Sequence, residues 1–156
     1  MKFITSLKDL ETYLGVSITK DILIKGISTD TRTIEKGDLF IAIKGDSFNG
    51  NQFTKDALQK GASAAIVDDK SFSQDKDKKI IYVKNSISAL AKIAKNIINS
   101  YQGKVIAITG SNGKTSTTNI LSKTLKKSSK TIGNYNNEIG MPLSVINASK
   151  KSKCLV

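Results

Sequence analysis

VIAITGSNGKT, residues 105–115, combines an apolar run, a turn with two glycines and the first residues of a helix. The run VIAI predicts a parallel strand covered on both faces, because such strands are continuously apolar. Gly110 and Gly113 allow the backbone to approach a ligand closely. The helix predicted from residue 114 to about residue 127 would point its first N–H groups at an anion. Strand, turn and helix in this order therefore predict a phosphate site.

The turn and the helix start, residues 109–115, are here called the GKT loop, and they carry side chains suited to the polyphosphate of ATP. Lys114 would place a positive charge on the β- and γ-phosphates, and the Thr115 hydroxyl suits Mg²⁺, which takes few protein ligands. The eight-residue Walker pattern needs glycine where this chain has Ile108, so the loop is shorter than that pattern. The alternative is an ordinary strand–helix turn with a chance lysine. The candidate nucleotide-binding residues are Gly110, Ser111, Asn112, Gly113, Lys114 and Thr115, with Lys114 and Thr115 as candidate catalytic residues and Thr115 as candidate metal ligand.

Strand and helix patterns alternate along the whole chain, which predicts an α/β fold. The clearest helix is residues 86–101, where apolar residues recur at helical spacing on one face, with Ser86 or Ser88 as the predicted cap. The other predicted helices are residues 6–14, capped by Ser6, residues 53–60 and a helix that starts at Pro142; the predicted strands are residues 27–32, 38–44, 64–67, 80–83, 131–132 and a strand that begins at residue 154.

The chain divides most naturally just before the long helix, into units of residues 1–84 and 85–156. The second unit is too short for a complete nucleotide-binding sheet, since each strand–helix–strand step takes roughly 30 residues. We therefore expect a small mixed α/β unit followed by the incomplete start of a parallel-sheet domain of the phosphate-loop type. On this basis the chain is expected to be the N-terminal part of a longer protein.

Composition excludes several classes of function. The chain has no histidine, which excludes Ser-His-Asp and Cys-His catalysis and histidine metal sites. The net charge of +12 comes almost entirely from scattered lysines, and Arg32 is the only arginine. Because arginine is the residue that reads bases in bidentate fashion, we expect no nucleic-acid partner. The lone Cys154 and the lack of a long apolar run indicate a cytoplasmic protein without membrane insertion.

Three sets of segments resemble the Mur ligases, which are ATP-dependent amide-forming enzymes of peptidoglycan synthesis. TGSNGKTST, from residue 109, resembles their ATP loop, although related loops occur in folylpolyglutamate synthase and cyanophycin synthetase. GNYNNEIGMP, residues 133–142, is similar to a segment of the family members that add D-alanyl-D-alanine to UDP-N-acetylmuramoyl-tripeptide. STDTR, GDLFIAIKGDSFNGNQF and GASAAIVD, which start at residues 28, 37 and 61, resemble the uridine-nucleotide domain of those members and of the ligases acting one step earlier.

The resemblance implies a role for each unit. Residues 1–84 would bind the UDP-sugar, and residues 85–156 would begin the central ATP-binding domain. It adds Asn136, Asn137 and Glu138 to the ATP site. It also implies a surface that receives the UDP-sugar, here called the candidate wall, which consists of Thr29, Asp30, Thr31, Arg32, Lys44, Gly45 and Phe48.

The residues alone leave these last assignments open. Asp30 and Arg32 would share one face of the predicted strand, and the arginine could clamp a diphosphate. An ordinary surface ion pair is an equal alternative. Asn136 and Asn137 could likewise be only turn residues.

The implied reaction transfers the γ-phosphate of ATP to the peptide carboxylate, and the amine of D-alanyl-D-alanine then displaces phosphate from the acyl phosphate. The implied cofactors are ATP and Mg²⁺, and the full-length protein is expected to be a monomer. One departure is Asn49-Gly50-Asn51, where the family often has Asp-Gly-His.

A larger departure is that the family's Mg²⁺-binding glutamate, modified lysine and C-terminal domain would follow residue 156. We therefore expect these 156 residues to lack ligase activity on their own. The alternatives are a non-catalytic nucleotide- or UDP-sugar-binding module and a ligase of the preceding step.

Overall fold

The computed structural model describes residues 3–45, 47–74, 78–131 and 137–156. Within them, strands and helices alternate, which confirms the α/β class. The helices are α1 (Lys8–Leu14), α2 (Thr54–Gln59), α3 (Ser86–Ser100), α4 (Lys114–Thr124) and α5 (Gly140–Asn147), with short 3-10 helices at Gly50–Phe53 and Lys70–Phe72. The strands are β1 (Ile27–Ser28), β2 (Leu39–Ile41), β3 (Ala64–Val67), β4 (Ile80–Tyr82), β5 (Lys104–Val105), β6 (Ser128–Ser129) and β7 (Cys154–Leu155).

The first sheet has the order β1-β2-β3-β4, and every strand pair in it is parallel. All residues of β2 and β3 are buried. Side chains alternate between the two faces, as the pleat of a strand requires. Leu39, Ile41 and Ile66 belong to the larger core cluster, whereas Phe40 and Val67 pack in a smaller cluster with α2.

Helix α3 covers the face of this sheet that carries the larger core cluster. Leu90, Ile93 and Ile97 are fully buried in the same core cluster as the strands. The predicted caps are wrong: the side chain of Asn85 caps the helix by accepting a hydrogen bond from the N–H of Ser88. Because α3 packs on the first sheet, the division of the chain at residues 84 and 85 stays a prediction.

The second sheet has the order β5-β7-β6, again with parallel pairs. Its central strand is buried, but both residues of β5 are exposed. The prediction of a strand over residues 105–108 covered on both faces is therefore wrong. In the described part of the chain, β5 pairs with one strand, β7. Helix α4, which follows β5, has no buried residue there, so it does not pack over this strand.

The first half of the molecule is here the first sheet with α1, α2 and α3, and the second half is the second sheet with α4 and α5. Helix α5 contacts elements of the first half. It packs against α3 and β1. At its last residue, the side-chain amide of Asn147 donates to the carbonyl of Ile27 (2.9 Å) and accepts from the N–H of the same residue (3.1 Å). This pairing satisfies backbone groups of the edge strand β1, which an exposed edge would leave open.

Several predicted bounds were too long. Strand β1 ends at Ser28 rather than at residue 32, because the chain turns there. Ser6 does not cap α1; instead the carboxylate of Asp9 accepts from the backbone N–H of Thr5 and Ser6 at 2.8 and 3.1 Å. No helix in the described residues is both long and apolar enough to cross a membrane.

Candidate functional site

The GKT loop connects β5 to α4 and turns on two glycines. Gly110 has a φ of +148° and Gly113 a φ of +78°, both in the region that L side chains rarely adopt. Gly113 is the residue directly before α4. An alanine at either position would be strained even though neither glycine is crowded. The two glycines are therefore required by backbone conformation, a reason that differs from the close approach to a ligand predicted from the sequence.

Lys114, the first residue of α4, turns its side chain back over the loop. Its ammonium donates to the carbonyls of Gly110 and Ser111. Thr115 follows at an exposed position on the first turn of the helix. The first N–H groups of any helix have no partner within it. Lysine charge, threonine hydroxyl and helix amides thus meet at one surface, and a phosphate group would find donors there.

A cavity of about 550 Å³ opens beside this loop, within the usual range for small-molecule sites. It lies against the second sheet, because its lining includes Val105, Ser129 and Leu155 from the three strands as well as residues that follow them. Its walls include the N-terminal part of α4, the residues after β5, and one face of α5. The lining includes Ile106, Ala107, Ile108, Lys114, Thr115, Thr118, Asn119, Met141, Ser144 and Val145.

Among the described residues, the second segment predicted for the ATP site does not line this cavity. Asn136 lies outside the described residues. The side chain of Asn137 accepts from the N–H groups of Gly140 (2.7 Å) and Ile139 (3.2 Å), so it fixes the start of α5. Neither Asn137 nor Glu138 is among the described residues that line the cavity, and both are exposed. Asn137 thus has a structural role here, and its place in the ATP site stays a prediction.

The candidate wall lies at the carboxyl edge of the first sheet. Thr29, Asp30, Thr31 and Arg32 follow β1, whereas Lys44, Gly45 and Phe48 follow β2. The prediction that Asp30 and Arg32 share a strand face is wrong. They lie in a turn, in which the hydroxyl of Ser28 binds the backbone N–H of Asp30 at 3.1 Å. Because β1 and β2 are adjacent and parallel, the wall residues that follow β1 and those that follow β2 nevertheless lie at the same edge of the sheet.

Asp30 and Arg32 form a close ion pair on this edge. The guanidinium donates two side-chain hydrogen bonds from Nε, at 2.9 and 3.0 Å, and one from Nη2 at 2.6 Å. These bonds lower the pKa of Asp30 to about 2. Arg32 remains 86% exposed, so the pair has the character of a surface ion pair while its outer N–H groups face solvent.

The loop after β2 folds back on itself. Lys44 pairs with Asn49, and the N–H of Gly45 donates to the carbonyl of Phe48 at 2.8 Å. The ring of Phe48 is 55% exposed and stacks on Phe53 with 5.2 Å between centroids. An exposed aromatic ring beside a lysine suits a ligand with a flat ring and a phosphate.

Lys44 also acts on the neighbouring strand end. The pKa of Asp69 is lowered mainly by hydrogen bonds from the side chain and backbone of Ser71, and to a smaller extent by the charge of Lys44. The loop after β2 and the segment after β3 therefore lie close together at the same edge.

Sequence reasoning missed two residues of this edge, Asn51 and Asp68. The sequence indicated Asn51 only as a departure from a family pattern, and Asp68 only as the last residue of GASAAIVD, a segment that resembles the uridine-nucleotide domain. In the structure, Asn51 is fully buried and is hydrogen-bonded to Asp68. The one sequence signal was an asparagine directly after Asn49-Gly50, two residues before the helix predicted at residues 53–60.

A parallel strand, a short glycine loop and a helix that starts on lysine define the phosphate-loop class of α/β proteins. The sequence matches two descriptions of a single family within this class: "Mur ligase family, catalytic domain" over residues 23–97 and "Mur ligase middle domain" over residues 108–156. Together the two matches cover most of the chain. The chain belongs to the Mur ligase family.

Two curated relatives show which branches it is similar to. It is 37% identical over 127 residues to the UDP-N-acetylmuramoyl-tripeptide–D-alanyl-D-alanine ligase of Bacillus subtilis, a match that covers 80% of this chain and 28% of that protein. It is 41% identical over 115 residues to the UDP-N-acetylmuramoyl-L-alanyl-D-glutamate–2,6-diaminopimelate ligase of Clostridioides difficile, covering 72% and 23%. The chain thus spans less than a third of either protein.

Among solved structures, the MurF ligase from Thermotoga maritima in complex with ADP is similar in fold. The TM-score is 0.71 at 36% identity, and the match covers 85% of this chain and 31% of that one. The likeness confirms the predicted α/β architecture.

Proposed function

We propose that this chain forms the UDP-sugar- and ATP-binding part of a ligase that adds D-alanyl-D-alanine to UDP-N-acetylmuramoyl-tripeptide. The observation that carries the proposal is that Lys114 and Thr115 of the GKT loop line a cavity of about 550 Å³ beside a parallel sheet. The similarity to the Bacillus subtilis ligase and to the ADP complex from Thermotoga maritima supports the choice of reaction and nucleotide.

In this proposal the GKT loop holds the phosphates of ATP. Lys114 would leave the carbonyls of Gly110 and Ser111 to neutralise the β- and γ-phosphates, while the helix amides bind phosphate oxygens. Thr115 would hold Mg²⁺, and its exposed hydroxyl fits an ion that keeps most of its waters. Bound Mg²⁺ would offset the negative charge of the transferring phosphoryl group.

The candidate wall would hold the UDP-sugar at the carboxyl edge of the first sheet. Arg32 presents free guanidinium N–H groups, Lys44 presents a charge, and Phe48 presents an exposed ring. These groups would orient the peptide carboxylate for phosphoryl transfer, a reaction that depends mostly on positioning and charge stabilisation. The acyl phosphate would then react with the amine of D-alanyl-D-alanine. We place this ligase in the cytoplasm and expect a monomer for the full-length protein.

Titration calorimetry with MgATP tests the nucleotide site. We expect Lys114→Ala to weaken ATP binding by at least about tenfold, because a charge-assisted contact to phosphate is lost. Lys123→Ala, in the last turn of the same helix, is the matched control and should bind ATP like the unaltered chain. Unchanged ATP binding by Lys114→Ala would refute the assignment of the loop.

The second candidate is the ligase of the preceding step, which the similarity to the Clostridioides difficile enzyme favours. The two candidates differ in the peptide on the UDP-sugar. Tighter binding of UDP-N-acetylmuramoyl-tripeptide than of the corresponding dipeptide supports the first, and the reverse order supports the second. If neither binds while MgATP does, a nucleotide-binding module without a sugar-nucleotide site is the better description.

A further inference from the structure

We propose that Asn51 is a positioning residue for the candidate wall, acting through Asp68 rather than by touching the ligand. The inference rests on the proposed function, since it assumes that the UDP-sugar binds at the carboxyl edge of the first sheet. It concerns a side chain to which the sequence pattern assigned no role.

Asn51 is fully buried, yet its polar atoms are satisfied. Its amide nitrogen donates to Oδ1 of Asn49 at 2.9 Å and to Oδ1 of Asp68 at 2.8 Å. Its own oxygen accepts from the backbone N–H of Asp68 at 3.1 Å. Two bonds therefore join Asn51 to a single residue, and together they fix the orientation of the amide plane. A buried amide of this kind is costly to replace, because its partners would be left unpaired.

Asp68 extends this connection to a helix. It follows β3 directly, and its second carboxylate oxygen accepts from the N–H of Ser86 at 3.1 Å. Ser86 is the first residue of α3, where the helix dipole favours a negative charge. Hydrogen bonds from the amide of Asn51 and from the N–H of Ser86 hold this carboxylate. Asn51 is thus tied through one carboxylate to both a central strand and the longest helix described.

The loop that carries Lys44 and Phe48 is attached to the sheet next to Asn51. The N–H of Gly50 donates to the carbonyl of Ile43 at 2.9 Å, and an added Cβ at Gly50 would lie 2.4 Å from that oxygen. Backbone therefore packs directly on backbone at the base of the loop. Asn51 follows immediately and attaches this base to β3. A shift of Asn51 would move the loop, and with it the wall residues, relative to the sheet.

A purely structural role for Asn51 would lower stability without a selective effect on one ligand. Thr54 provides the comparison for this alternative. It is equally buried, and its hydroxyl donates to the carbonyl of Asn51 at 2.8 Å. Thr54→Val removes a buried hydrogen bond in the same segment but leaves the link between Asn51 and Asp68 intact. The two positions can therefore be matched in lost stability and compared in binding.

The experiment measures thermal unfolding and binding of two ligands, UDP-N-acetylmuramoyl-tripeptide and MgATP, for three variants of this chain. Asn51→Leu keeps the size of the side chain but removes all its hydrogen bonds. We expect it to bind the tripeptide ligand at least about tenfold more weakly, with unchanged ATP affinity. Thr54→Val should lose stability but keep both affinities. Asp68→Asn turns one of two acceptors into a donor, and should show a smaller loss in the same direction as Asn51→Leu.

The outcomes separate this inference from the proposed function. If the unaltered chain does not bind the tripeptide ligand, the proposed function fails first. If it binds, and Asn51→Leu and Thr54→Val weaken that binding equally at equal loss of stability, Asn51 has only a structural role. Should Asn51→Leu not fold, Asp68→Asn decides: full affinity for the tripeptide ligand in that variant would overturn the inference.

Discussion

Both sheets consist of parallel strands, but the two sheets are stabilised very differently. In the first sheet, every residue of β2 and β3 is buried, and helices pack on both faces. In the second, β5 is exposed, and α4 has no buried residue among those described. A strand and a helix can therefore form in sequence without yet enclosing a core.

The difference extends to how each candidate site gets its shape. The GKT loop is shaped locally, by two glycines with positive φ within four residues. The candidate wall is shaped by distant partners: Asn51 binds Asp68, 17 residues away, and Asn147 binds Ile27, 120 residues away. A local site can tolerate an open sheet, whereas a site built from distant contacts needs a rigid one.

The largest expected effect comes from truncating one large apolar side chain in each half. Leu90 is fully buried in the core of the first sheet, whereas Ile120 in α4 is 64% exposed. Leu90→Ala should lower the free energy of unfolding by about 3 kcal/mol through lost burial and a cavity. Ile120→Ala should change it by less than about 0.5 kcal/mol, as most exposed substitutions do. Urea unfolding measures both, and equal losses would contradict the contrast between the sheets.

Those features that the sequence predicted correctly depend on neighbours along the chain. The GKT loop follows from its glycines and lysine, β3 from an apolar run, and α3 from helical spacing of apolar residues. Each signal lies within one element and survives whatever packs around it. The α/β class follows from the alternation of such signals, so it was also predictable.

The features that the sequence missed depend on what lies across a sheet or at the end of an element. An apolar run such as VIAI indicates burial. Val105 is nevertheless 50% exposed, because α4 does not pack over this strand in the described residues. The turn at Asp30 and Arg32 depends on side-chain bonds to the backbone, which compete with strand pairing. The link from Asn51 to Asp68 joins two elements that only the fold brings together.

An intermediate effect is expected at two crowded glycines, one in each half. A Cβ on Gly50 would lie 2.4 Å from a backbone oxygen of Ile43, whereas one on Gly103 would lie 2.3 Å from the hydroxyl of Tyr101 and 2.7 Å from a backbone oxygen of Lys153. Gly50→Ala should cost about 2 kcal/mol, because backbone in a buried region has to move. Gly103→Ala should cost less, because Lys153 and the strand β5 that follows Gly103 are exposed, so that this backbone can shift at lower cost. Thermal unfolding compares the two.

A third glycine controls for backbone conformation. Gly15 has a φ of +67° and no atom within 4 Å of an added Cβ, so Gly15→Ala reports strain without crowding. A larger loss of stability for Gly103→Ala than for Gly50→Ala would show that the second half is the more rigid one.

The smallest expected effect tests whether charge pairs add to the rigidity of the first half. The pKa of Asp30 is lowered from 3.8 to about 2, mainly by the side-chain bonds from Arg32. A carboxyl with a lowered folded-state pKa stabilises the protein above its unfolded-state pKa, and this contribution disappears as the pH falls through about 2. Because Arg32 is 86% and Asp30 36% exposed, solvent screening should limit the contribution to about 0.5 kcal/mol or less.

The measurement for this pair is the difference in free energy of unfolding between the unaltered chain and Asp30→Asn. That difference should be small at neutral pH, shrink between about pH 4 and pH 2, and fall further in about 1 M NaCl, because exposed charges are screened. The subtraction removes other carboxyls that titrate in the same range. A difference several times larger and independent of salt would mean that the first sheet depends on this pair as well as on its buried core. Its rigidity would then rest partly on Arg32, and a diphosphate that competes with Asp30 for that arginine would destabilise the sheet that positions it.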